Sequence, residues 1–321
     1  LYGAFSGFSC QDTIAFFESH GLPLKTERGN RVFPVSDKAQ DVVDTLVRYN
    51  EEGNVTFLKG RAVSLLQEDN TVRGVRLENG KELFAGSVIL ACGGASYPGT
   101  GSNGDGYRLA QEGGHSIRSL KPSLVPLVAA GEDCRDMMGL SLRNIGLSVW
   151  DNAKKKEIYK DFGELLFTHF GLSGPVILSA SSHMRQMEPG RYRVDIDLKP
   201  ALRPEQLDAR LQRDFSQNLN RDFLNSLSAL LPRKLIPVAV KRSGIPGNKK
   251  CNSITREERQ RFGTLLKAFS VDITGFRPIE EAIVTSGGVN VREVSPHTME
   301  SKLLPGLFFA GEMLDVDAYT G

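Results

Sequence analysis

Residues 88–114, VILACGGASYPGTGSNGDGYRLAQEGG, hold eight of the 33 glycines of the chain in 27 positions. An apolar run at 87–91 reads as a buried strand leading into this cluster. Residues 105–112 read as a helix stopped by Gly113 and Gly114. Strand, glycine loop and helix in that order let a backbone approach a ligand closely at the C-terminal edge of a sheet. Gly93 and Gly94 fall where a side chain would obstruct such a ligand, and Thr100, Ser102 and Asp105 add polar groups. Backbone N–H groups of a glycine loop can hold anionic or carbonyl oxygens. Taken alone, the glycines fit a plain β-to-α turn at least as well. A dinucleotide fold normally opens with G-x-G-x-x-G on its first strand, and no such strand precedes this stretch.

Length and composition narrow the class. The 321 residues suit one large or two modest domains. A net charge of +2 argues against a nucleic-acid or membrane partner, and no apolar run has membrane-spanning length. Cys10, Cys92, Cys134 and Cys251 are scattered without metal-ligand spacing, so a reduced, cytoplasmic location is the simplest expectation.

Period and punctuation predict the elements. Residues 12–20 suggest a helix with Ile14 and Phe17 inward. Ser36 is a candidate cap for a second helix carrying Val42, Val43, Leu46 and Tyr49. NVTFL, AVSLL, VRGVRL and KELFAGSVILA read as strands of a small meander. After Pro122 and Pro126 the pattern turns mostly β, with LVPLVA, IGLSVWD, KEIYK, PVILSAS and RYRVDIDL as strands. It then becomes helical: Leu207, Leu211 and Phe215 form one stripe, and Phe223, Leu224, Leu227 and Leu231 a second. The capping box Thr255–Glu258 opens a third helix, with Phe262, Leu265, Leu266 and Phe269 on one face. β signals return in EAIVTSGGV and GLFFAGE.

The C-terminal stretch shifts the balance towards a ligand. A strand at 307–310 runs into Gly311 and Glu312, then Asp315 and Asp317. Acceptors at a strand end suit a ribose or ribityl hydroxyl; a solvated acidic turn is the alternative.

Together GLPLKTERGNRVFPVSDKAQDVV, ILACGGASYPGTGSNGDGY, LLFTHFGLSGPVIL, TSGGVNV and GLFFAGEMLDVDAYTG resemble the aminoacetone oxidase family of FAD-binding enzymes. That family sits within a broader group of bacterial NAD(P)/FAD-dependent oxidoreductases that includes a bile-acid reductase. The resemblance spans the chain, in order. It implies an α/β fold: a Rossmann-like FAD-binding domain, here without its first βαβ unit, carrying an inserted β-barrel-like plus helical domain. The expected division is 1–121 and 276–321 for the FAD-binding domain and 122–275 for a substrate or lid domain. The resemblance also implies a segment before Leu1 and a final helix after Gly321, so this stretch by itself is expected to bind FAD weakly. Val63 is placed near the adenine. Ala91, Gly93 and Gly94 match the strand-end motif, Thr100, Gly101, Asp105 and Gly106 the following loop, and Gly311, Glu312 and Asp315 the C-terminal FAD motif. Gly287 and Gly288, after Ser286, are placed near the isoalloxazine, and Tyr97 at or near the flavin.

Flavin carries the redox chemistry in such enzymes, so the protein need only orient substrate and tune the ring. His169, beside a Gly-Leu-Ser-Gly-Pro turn, is the candidate proton donor or acceptor; a hydrogen-bonded structural histidine is the plainer reading. Arg28, Arg31 and Arg143 could hold an anionic substrate, or be ordinary surface arginines. His297 reads as an exposed turn residue. The expectation is therefore an FAD-dependent oxidoreductase acting on a small organic molecule, with NAD(P)H or oxygen as redox partner. Two alternatives remain open, a flavoprotein that modifies RNA and a non-catalytic FAD-binding protein.

Overall fold

The computed structural model describes residues 2–27 and 30–318. They divide into two compact units, each discontinuous in sequence. The first takes described residues within Leu1–Gly93, Gly104–Ser119 and Gly287–Val316; the second takes those within Gly94–Asn103, Leu120–Ser286 and Asp317–Gly321. No helix among the described residues is long and apolar enough to cross a membrane.

In the first unit, strands Val88–Leu90 and Leu307–Phe309 pair in parallel, with Leu90 opposite Phe309. Parallel pairing needs a crossover connection, and here some 200 residues of chain separate the two strands. Leu90, Leu307 and Phe309 are buried, but Ile89 is 66% exposed. The run expected to be a wholly buried strand therefore buries one face only, because side chains alternate across a strand. The meander is three-stranded: Ala62–Glu68, Thr71–Leu77 and Glu82–Phe84, all antiparallel. NVTFL is not part of it. Val55, Phe57 and Leu58 have strand composition but are 47–65% exposed and belong to no strand; strand propensity reports fit to a neighbouring strand, and none takes this segment.

A helix not expected from the sequence, Tyr2–Gly7, comes first; the helix expected at 12–20 follows and starts earlier, at Cys10–Ser19, because Ser9 and Asp12 form a reciprocal capping box. Ile14 and Phe17 are only half-buried. Ser36 does not cap the next helix, Ala39–Glu52; Lys38 occupies that position, and Ser36 donates to Asp41 at 2.5 Å. A hairpin, Leu24–Glu27 with Arg31–Pro34, was not legible in the sequence.

The second unit is built on a closed six-stranded barrel. Its strands are Leu127–Ala129, Ser141–Asp151, Lys156–Phe167, Gly171–Ser173, Tyr192–Asp197 and Phe269–Phe276. Alternate residues such as Ile145, Leu147, Val149, Val194 and Ile196 fill it. PVILSAS is a helix, Pro175–Ser181, rather than a strand. Pro175 sits at its first turn, where its fixed φ suits a helix, and Val176, Ile177 and Ala180 bury one helical face. A short apolar run cannot separate these two outcomes by period alone.

The helical layer contains Pro204–Ser216, Ile236–Ser243 and Arg256–Lys267. The Thr255–Glu258 capping box forms as expected. Phe223–Ser226 gives only one turn before a 3-10 segment, so the second stripe is broken. Phe269 leaves the helix altogether: it opens a barrel strand opposite Ile196. Its spacing from Phe262 mimics a helical face, but burial against the barrel decides its place.

Candidate functional site

In the first unit, four chain segments meet where the parallel pair ends. Ala310 N–H donates to the Leu90 carbonyl at 3.0 Å, so both strands run side by side into Ala91–Gly93 and Gly311–Glu312. Gly93 (φ 70°) and Gly311 (φ 78°) both take left-handed backbone, which turns each strand out of the sheet. A side chain on Gly311 would meet nothing within 4 Å, so open space lies beyond it. Ala91 is exposed at the same edge.

The helix Asp105–Glu112 starts at this edge. A Cβ on Gly106 would lie 2.7 Å from Cys92 Cβ and 3.3 Å from Met313 Cε, so the missing side chain lets the helix seat against both strand ends. Asp105 takes a two-pronged hydrogen bond from Arg61 (2.7 and 2.8 Å), and this pairing raises the Arg61 guanidinium further above its already high pKa. The carboxylate next to the helix start is thereby fixed in orientation. Val63, in the meander, offers its carbonyl to Arg108 on the same helix, and Glu112 accepts from the Leu65 N–H at 3.0 Å.

Tyr107 was not anticipated. Its ring is buried and its hydroxyl has no hydrogen-bond partner among the described residues. Burial, with the Glu312 carboxylate nearby, pushes its pKa up to about 12. An orphaned buried hydroxyl costs about 1–3 kcal/mol, and an added partner would recover it. Asp315 is half-buried, with its N–H on the Val289 carbonyl at 2.9 Å. Gly287 and Gly288 have a packing explanation. A Cβ on Gly287 would stand 2.3 Å from the Ser119 carbonyl oxygen, and one on Gly288 2.5 Å from that of Met313. Protein backbone already fills the space on that side of each.

Left-handed glycines at two adjacent parallel strand ends, Gly311 facing open space, with a helix N-terminus and an unpartnered hydroxyl, make an edge that fits an extended, polar, anionic ligand. Val63, Ala91, Gly93, Asp105, Gly106, Gly287, Gly288, Gly311, Glu312 and Asp315 all belong to this unit.

The second unit holds Gly94, Tyr97, Thr100, Gly101 and His169. Gly94 is buried. The N–H groups of Ala95 and Ser96 both donate to Thr285 Oγ1, at 2.9 and 3.2 Å. Thr285, fully buried, thus pins the start of this loop, a role its TSGG context did not signal. Tyr97 is half exposed and left-handed (φ 48°), a costly backbone for a non-glycine residue. Its N–H donates to the Glu280 carbonyl at 3.3 Å, and its carbonyl accepts from Thr100 N–H and Oγ1. Gly101 is also left-handed (φ 102°). The adjoining Glu281 is gripped by Arg277, which holds its carboxyl below the usual range, with a smaller contribution from His169. Tyr97 and His169 therefore share the neighbourhood of the 279–281 turn. His169 is exposed and packs edge-on against Phe170.

Arg31 is exposed on the Arg31–Pro34 strand of the first unit, Arg143 is exposed on the barrel, 3.9 Å from Glu164, and Arg28 lies outside the described residues. His297 is exposed. Asp317 accepts from Ser123 Oγ at 3.0 Å.

Comparison with known proteins gives three informative relatives. A ribosomal RNA dihydrouridine synthase of Escherichia coli is 30% identical over 99% of this chain and 76% of its own length. A 3-dehydro-bile acid delta(4,6)-reductase of Clostridium scindens is 28% identical over 98% of this chain and 76% of its own. A ribosomal RNA dihydrouridine synthase of Haemophilus influenzae is 27% identical over 99% and 77%. These similarities support the wider family rather than the aminoacetone oxidase branch in particular. The model of the HI0933-like protein Rossmann domain matches residues 1–321, and the chain belongs to that family.

Proposed function

We propose that this protein is an FAD-dependent reductase of a carbon–carbon double bond conjugated to a carbonyl, with NAD(P)H as the electron source. The observation that carries this reading is the chemistry shared by the relatives' names. Making dihydrouridine and reducing a Δ4,6 steroid ketone both add hydrogen across such a bond. Bound FAD would supply a hydride from N5 to the electron-poor carbon of that bond. In the first unit, exposed Ala91 and Gly311 leave backbone open to the cofactor, and left-handed Gly93 turns the other strand out of the sheet beside them. Asp105, Glu312 and Asp315 offer acceptors for its hydroxyls, and the Tyr107 hydroxyl offers a donor. In the second unit, Tyr97 and His169 are the groups available to orient substrate and deliver a proton to the carbon next to the carbonyl.

The favoured substrate is a uracil ring within RNA, because two rRNA dihydrouridine synthases align over nearly the whole chain. A small organic enone is the second reading, favoured by the bile-acid reductase. The test is anaerobic: protein loaded with FAD is mixed with NADH or NADPH, then with unmodified rRNA or with a steroid dienone. One of the nicotinamides should bleach the flavin. Reoxidation by substrate should follow, with two hydrogens added to the product by mass spectrometry. Bleaching with no reoxidation by either substrate class would overturn it.

A further inference from the structure

The net charge of +2 is a sum over two opposed parts. Residues 199–267, the helical layer of the second unit, contain 15 Lys and Arg against 6 Asp and Glu, a formal +9; the rest of the chain carries −7. Separation of this kind is the electrostatic signature of a polyanion surface, and the total conceals it.

Several of these cations are held by neutral acceptors, which fix their position without cancelling their charge. Arg221 donates to Asn218 Oδ1 at 3.3 Å, Lys234 to the Met138 carbonyl at 2.8 Å and Arg261 to the Ser243 carbonyl at 2.9 Å. Two loops of this layer are stitched together by backbone. Cys251 N–H donates to the Arg221 carbonyl at 3.0 Å, Phe223 N–H to the Lys249 carbonyl at 2.8 Å, and Asp222 bridges to Lys250 through the backbone, while the Lys250 ammonium also pairs with the Asp222 carboxylate at 2.8 Å. The stitched loops carry exposed Asn220, Arg221, Asn248, Lys250 and Asn252, with Leu219 half exposed among them. Thr255 then caps the next helix, whose first residue is the exposed Arg256. Cations interleaved with amides are the donor set that binds phosphate and sugar oxygens.

We infer that the paired loops 217–222 and 246–253, with Arg256, form a docking surface for the phosphate backbone of RNA. This rests on the RNA-substrate reading above and adds to it the surface that engages the substrate. The surface meets the RNA backbone, so it sets affinity and register, while base choice belongs to the reductase site.

The test uses FAD-loaded protein and a fluorescein-labelled RNA stem-loop, with duplex DNA of matching sequence as the second arm. Anisotropy is measured from low to physiological salt. Wild type should prefer the RNA, with a steep salt dependence. The triple variant R221A/K250A/R256A should bind at least tenfold more weakly, and its log–log salt slope should fall by about 2, mostly from Arg221 and Arg256, because Lys250 shares its charge with Asp222. The control R73A/R76A, on exposed arginines of the meander, should behave as wild type. Flavin bleaching by nicotinamide should be the same in all three proteins, and circular dichroism checks their folding. The inference is overturned by equal RNA binding in triple variant and wild type, by equal affinity for RNA and DNA, or by no RNA binding at low salt. The reductase reading is judged separately: a wild type that binds RNA but never reduces its uracils refutes that reading and leaves the surface standing. A triple variant that reduces rRNA at the wild-type KM refutes the surface and leaves the reading standing.

Discussion

Gly106→Ala tests whether the helix Asp105–Glu112 is seated on the strand ends as described. In an open helix the change would help, since glycine is about 1 kcal/mol worse than alanine in a helix interior. Here the new methyl would stand 2.7 Å from Cys92 Cβ and 3.3 Å from Met313 Cε. Carbon atoms pack comfortably at about 3.5–4.0 Å, so either the helix or the Ala91–Gly93 segment has to move by roughly an ångström. Met313 can yield at the end of a flexible chain; Cys92 Cβ is fixed to backbone and cannot. Overpacking of this kind costs about 1–3 kcal/mol. The net expectation is a loss of up to about 2 kcal/mol, which lowers the melting temperature by roughly 2–4 °C per kcal/mol for a unit of this size. The partner change Cys92→Gly removes the obstructing carbon. In a double-mutant cycle followed by urea denaturation, the pair should show a favourable coupling of about 1 kcal/mol or more. FAD affinity, followed by flavin fluorescence quenching, should fall in the single variant and recover in the double. A stabilised Gly106→Ala protein, or strictly additive effects of the two changes, would refute the seating argument.

Tyr107→Phe removes an orphaned buried hydroxyl, so the protein without flavin should gain about 1 kcal/mol of stability, while FAD binding should weaken; weaker stability without flavin would show that the hydroxyl already has a partner. Thr285→Val deprives the Ala95 and Ser96 N–H groups of their shared acceptor and should cost about 2 kcal/mol or more; hydrogen exchange at those two amides should accelerate, and unchanged exchange would count against the anchor. His115 is buried, with Nε2 2.7 Å from Ser301 Oγ, and burial lowers its pKa despite the nearby Glu293. Because the folded pKa lies below the unfolded one, its neutral form stabilises the fold above about pH 6.5, and this is lost as pH falls from there towards the lowered value. His115→Gln should flatten that part of the stability–pH curve, and an unaltered slope would assign the effect elsewhere.

Sequence reasoning reached the local features and missed those that depend on a neighbour. The Thr255–Glu258 box was readable because its partners are three residues apart and satisfy each other. The glycine runs after 90 and after 310 were readable because only glycine takes left-handed backbone freely, so their density marked a turn out of a sheet. PVILSAS, NVTFL and Phe269 were misread for one reason. Apolar composition says that a residue wants burial, but only the surrounding structure says against what, and a strand without a partner strand is no strand. Tyr107 and Thr285 carried no signal at all: one is notable for a hydrogen bond it does not make, the other for N–H groups 189 and 190 residues away in sequence.

Residue type and short-range order are enough to specify the strand–glycine–helix signature, the acidic residues after the last strand and the mostly β character of the segment after Pro122. They also hold the +9 helical layer, hidden within a near-neutral total. Tertiary structure was needed to tell which glycines face open space and which face backbone, because Gly311 and Gly288 look alike in one dimension. It was needed, too, to show that Asp105 is oriented by Arg61, 44 residues away, and that Tyr97 is tied by its N–H to the 279–281 turn, 183 residues away at Glu280. Distance along the chain carries no information about distance in space once parallel strands and a closed barrel bring remote segments together.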